Sequence, residues 1–91
     1  MKIRVMVTIR GRVQGVSFRH YTQQSAMLHH VTGWIRNQPD GSVGGCFEGE
    51  ESDVRALIDW CHQGPSWAQV NEVVVEEEPY QGDYNQFNIR Y

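Results

Sequence analysis

With 91 residues, 40% of them hydrophobic and 21% charged, the chain is expected to form one globular domain spanning 1–91 and not a disordered segment. Its formal net charge of −3 argues against a nucleic-acid partner, which would need a basic face. No apolar run reaches membrane-spanning length, and a strand pattern follows Met1 directly without a secretory signal, so the expectation is a cytoplasmic protein with no membrane partner.

In chain order, KIRVMVTIR at 2–10 alternates: Ile3, Val5, Val7 and Ile9 share one face, and Lys2, Arg4, Thr8 and Arg10 the other. That predicts a half-buried strand. GRVQGVS interrupts it, and from Phe18 the pattern becomes helical. Phe18, Thr22, Ser25 or Ala26 and His29 lie on one side, with Ser17 expected as N-cap. TGWIRN reads as a second strand, QPDGS as a turn and SVGGCFEG as a third strand forming a hairpin with the second. Gly44 and Gly45 mark either a bulge or a close backbone approach there. Val54, Leu57, Ile58 and Cys61 fit a helical stripe, EESD supplies acids to its first turn, and Gly64-Pro65 ends it. VNEVVVEE at 70–77 predicts another strand. PYQGDY is a loop, and FNIRY is a last strand with Phe87, Ile89 and Tyr91 on one face. The β-α-β-β-α-β order predicts a ferredoxin-like split βαβ fold, α+β, with two helices on one face of an antiparallel sheet.

The loop IRGRVQGVSFRHYT, at 9–22, carries the chemistry. Gly11 and Gly15 permit a tight curl, the helix start adds partial positive charge, and Arg19 in the first turn brings a planar fork suited to phosphate oxygens. From the residues alone, a plain β–α turn with a surface arginine is the alternative. The pattern is neither a Walker A motif nor a dinucleotide fingerprint.

GRVQGVSFRHYTQ and GWIRNQPDGSV together resemble the acylphosphatase family, and FEGEESDVRALIDW and FNIRY extend the resemblance over essentially the whole chain. The resemblance implies hydrolysis of the carboxyl–phosphate anhydride of small acyl phosphates without metal or organic cofactor. It implies that Arg19 and Asn37 are the essential residues. The backbone of Arg12, Val13, Gln14, Gly15, Val16 and Ser17 would be the phosphate loop. Inorganic phosphate or sulfate is the expected competing anion, and a monomer the expected unit. Ser17, His29 and His30 depart from the family pattern. Ser17 is read as a helix cap, and the two histidines leave the end of the first helix open.

A carboxylate is a good leaving group, so the reaction is chiefly a matter of positioning and charge. An amide such as Asn37 can orient a water, since it both accepts and donates. No carboxylate or histidine stands out as general base, which favours proton uptake by the substrate phosphate. His29-His30 has poor chelating spacing, so no metal is expected. Cys61 reads as core and Cys46 as core or surface, with a disulfide between them left open. Trp34, Trp60 and Trp67 read as packing, and Glu76 to Glu78 as a solvated strand end. An RNA-recognition module shares the element order but needs aromatics in a basic central strand, which SVGGCFEG lacks. A non-catalytic anion-binding domain would not need both Arg19 and Asn37.

Overall fold

The computed structural model describes residues 1–91. The alternating residues of the first strand, β1 (Lys2–Arg12), turn Ile3, Val5, Val7 and Ile9 into the core. There follow α1 (Phe18–Leu28), β2 (Thr32–Asn37), β3 (Val43–Glu50), α2 (Glu51–Gln63), β4 (Gln69–Glu78) and β5 (Phe87–Arg90). The sheet order is β4-β1-β3-β2-β5. The first four strands pair antiparallel as expected, but β5 lies parallel to β2, so the sheet is mixed. The reason is topological. The chain leaves β4 at one edge, crosses the sheet and enters beside β2 at the other.

β1 runs two residues beyond the expected strand, through Gly11, with a bulge against β4 between Arg10 and Gly11. At φ 131° Gly11 lies so close to the Gln69 carbonyl that a Cβ would collide with it, and glycine there keeps β1 paired to its end. β3 carries no bulge. Gly44 marks a close approach, because the Gln38 side chain fills the space its Cβ would take.

The apolar stripes of the helices close the core. Phe18 and Ala26 of α1 meet Val54, Leu57, Ile58 and Cys61 of α2 over Phe47, Ile35 and Phe87 of the sheet. Thr22 is buried too, and its hydroxyl donates to the Phe18 carbonyl at 2.8 Å, which satisfies it. α1 ends at Leu28 with His29 as C-cap. His30 takes the left-handed conformation, φ 58°, that a glycine usually supplies after a helix.

Three side chains differ from expectation, and the open question of the two cysteines is resolved. Ser17 occupies the N-cap position, yet at φ 61° its hydroxyl caps nothing; the curl of the preceding loop sets its backbone. Trp67 is not packing, being 79% exposed on the segment between α2 and β4. Tyr91 lies beyond the end of β5 and is 98% exposed, so it does not share the buried face with Phe87. Cys46 and Cys61 are both buried and reduced. Cys46 faces away from the helices in register with Met6 and Trp34, while Cys61 lies in the core beneath them, so the sheet stands between the two sulfurs. Burial pushes both thiols above the ordinary range and keeps them protonated. Trp34 does pack: it is buried, and its indole donates to the Tyr84 hydroxyl at 3.1 Å.

The pairing brings the ends of β1, β2 and β5 and the starts of β3 and β4 to one edge of the sheet. Ile9 and Asn37 both pair with Val43, Arg12 with Gln69, and Arg36 with Arg90. The β1–α1 loop lies at this edge.

Candidate active site

Two buried apolar residues, Val13 and Phe18, pin the β1–α1 loop at its ends. Between them Gly15, φ 75°, and Ser17, φ 61°, curl the chain. The left-handed conformation is free for glycine and costs serine about 1 kcal/mol. The curl leaves the backbone N–H groups of Gln14, Gly15, Val16, Ser17 and Phe18 without an acceptor in the protein. Five donors beside a helix N-terminus suit a tetrahedral oxyanion, through direct hydrogen bonds and the partial positive charge of the helix end.

Arg19 stands one residue into α1. Its Nη1 donates to the Arg90 carbonyl at 3.4 Å, and its guanidinium lies 4.9 Å from the centre of the Tyr91 ring. The last residues of the chain therefore fix which way the fork leans. Asn37 is the final residue of β2 and half-buried. Its Oδ1 is fully buried and accepts no hydrogen bond, an unusual state for an amide oxygen. Tyr91 lines the same cleft as Asn37, so it links the surroundings of the two residues.

The family resemblance implies a role for the Gln14 backbone only. Its side chain also matters: Nε2 donates to the carbonyls of Gln38 and Ser42, each at 2.8 Å. It fastens the loop to the β2–β3 turn next to Asn37. An amide in the middle of a curled loop was the only signal for this, and its partners lie too far along the chain to be read locally.

That turn is itself braced. Ser42 N–H donates to Asp40 Oδ1 at 2.9 Å, and Arg10 Nη1 reaches Asp40 Oδ2 at 3.1 Å. Hydrogen bonds from Ser42, then the Arg10 charge, hold the Asp40 carboxyl down at about 2. Asp40 lines the cleft with Asn37 but is ionised and too weak a base to take a proton from water. His20 is exposed and packs edge-on against Tyr21, at 5.2 Å between ring centres.

The chain is thus a small α+β domain with a curled loop of unpartnered backbone N–H groups at one sheet edge. The acylphosphatase family model matches residues 5–89. An acylphosphatase of Geotalea uraniireducens is 60% identical over the full length of both chains. Among solved structures, the acylphosphatase of Bacillus subtilis superposes with a TM-score of 0.94 at 29% identity, covering 98% of this chain and 99% of that one. The acylphosphatase of Coxiella burnetii gives 0.93 at 35% identity, with 98% and 93% covered. The chain belongs to the acylphosphatase family.

Proposed function

We propose that this chain hydrolyses acyl phosphates to a carboxylate and inorganic phosphate, by in-line attack of water and without a metal. The observation that carries the reading is the run of unpartnered N–H groups from Gln14 to Phe18, in a chain of this family. These donors and the Arg19 fork hold the phosphate oxygens and stabilise the charge spread over them. Asn37 lines the open cleft, and its side-chain amide orients the attacking water there. The water proton ends on the substrate phosphate, since the one carboxylate near Asn37 is too acidic to take it. Phosphate and sulfate compete for the same donors. The working unit is a cytoplasmic monomer. Two reduced thiols suit a reducing compartment, and Glu76, Glu77 and Glu78 on the edge strand β4 discourage pairing with a second copy.

The test is hydrolysis of benzoyl phosphate by the purified protein after exhaustive chelation. The parent should turn over, with phosphate as a competitive inhibitor in the millimolar range, of order what a weak anion site gives. Asn37→Ala should lose turnover by roughly a hundredfold while phosphate affinity stays near the parent's, whereas Arg19→Ala should weaken both. No hydrolysis by the parent, or activity that vanishes on chelation and returns with one divalent ion, would overturn the reading.

A further inference from the structure

A second cleft, of about 500 Å³, flanks the β1–α1 loop and does not include Asn37 in its lining. Gly15, Val16 and Ser17 of the loop form one wall, and Arg12, Tyr21 and Trp67 the rest. Trp67 is 79% exposed and Tyr21 45%, so each offers most or much of an aromatic ring to solvent beside a loop of backbone donors. The β1–β4 register, Arg12 against Gln69, sets Trp67 at the loop's flank, and Arg12 makes no ion pair that would draw its charge away.

Sheet order places this cleft relative to the attack. The loop springs from β1, with β4 on one side and β3, β2 and β5 on the other. Asn37 ends β2 and Trp67 precedes β4, so the two flank the loop from opposite sides. In-line displacement needs the leaving oxygen on the side of phosphorus remote from the water. The water oxygen bonds to phosphorus as the bridging P–O bond breaks. The electron pair of that bond leaves with the carboxylate, and the water proton ends on the phosphate. A water held by Asn37 therefore sends the acyl group toward Trp67.

We propose that the Trp67–Tyr21–Arg12 cleft is the acyl subsite, and that it selects acyl phosphates with a flat apolar acyl group. The inference rests on the acyl phosphate reading above. Trp67 and Tyr21 present their rings to the acyl moiety, and Arg12 meets the charge that develops on the departing carboxylate.

The experiment compares kcat/KM for benzoyl phosphate and acetyl phosphate in the parent, Trp67→Ala and Trp67→Phe. The ratio of benzoyl to acetyl should fall roughly tenfold in Trp67→Ala, about what one lost aromatic contact is worth, and should largely return in Trp67→Phe. Because Trp67 is on the surface, thermal unfolding of both variants should match the parent and confirm that the fold is intact. An unchanged ratio, or equal loss on both substrates, would overturn the subsite while leaving the acyl phosphate reading in place. A parent that hydrolyses neither substrate would sink the function itself and this inference with it.

Discussion

Two loops of this molecule each carry a run of backbone N–H groups that no backbone carbonyl receives, and they differ in what the protein offers those donors. In the segment joining β4 to β5, the N–H groups of Gln81, Gly82 and Asp83 converge on the Glu48 carboxylate, each at 3.2 Å. Arg4 reaches the same carboxylate at 3.3 Å, and Glu48 is 1% exposed. In the β1–α1 loop, the N–H groups of Gln14 to Phe18 have no acceptor in the protein, carboxylate or otherwise. The first loop carries its own anion, which ties the crossing segment down. The second leaves its donors without an acceptor in the protein, which is the basis of the proposed anion site. Side-chain supply makes the difference: a central strand brings Glu48 beneath one loop, whereas Val43, the residue at the corresponding end of β3, is apolar.

The comparison can be broken first at Glu48. Glu48→Ala strips three N–H groups of their acceptor and takes from Arg4 one of its three carboxylate partners. It should cost about 3 kcal/mol of stability by denaturant unfolding, the scale for breaking a buried ion pair. Turnover of the folded variant should stay within about twofold, because distant sites act nearly independently. Stability that does not change would mean that the carboxylate is not what holds that loop.

At the other loop, Arg19→Lys keeps the charge but loses the fork. A lysine cannot span two oxygens in a fixed plane, so kcat/KM on benzoyl phosphate should drop by about a hundredfold. Near-parental activity would reduce Arg19 to a nonspecific attractor.

The smallest expected effect concerns the tether. Gln14→Ala removes both 2.8 Å bonds to the β2–β3 turn and lets the loop shift against Asn37. We expect a loss of about tenfold in kcat/KM, since misplacement of reacting groups is penalised steeply. A parental rate would show that backbone curl alone sets the loop.

Much of the fold was legible because its signals are local. The alternation of Ile3, Val5, Val7 and Ile9 and the helical stripe of Val54, Leu57, Ile58 and Cys61 each place a face in the core without reference to partners. Asn37 at the end of β2 and Arg19 in the first turn of α1 were read from motifs, and the structure places them there. What stayed hidden depends on residues far apart in the chain. Gln14 bonds to residues 24 and 28 positions away, and Glu48 to amides 33 to 35 away. Ser17 looked like a cap because serine often is one, but the loop's curl forces its backbone left-handed and takes the hydroxyl out of reach. Trp67 read as packing because a tryptophan ring usually packs, and only the pairing of β4 with β1 shows it standing free beside the loop.

The most direct measurement is a titration of inorganic phosphate into nitrogen-15-labelled protein, followed by amide NMR. Saturable shifts are expected in the amides of Gln14 to Phe18 and none of comparable size at Gln81, Gly82 and Asp83, whose carboxylate is already in place. Loop amides that stay unmoved at saturating phosphate, or shifts of equal size in both loops, would contradict the proposed anion site.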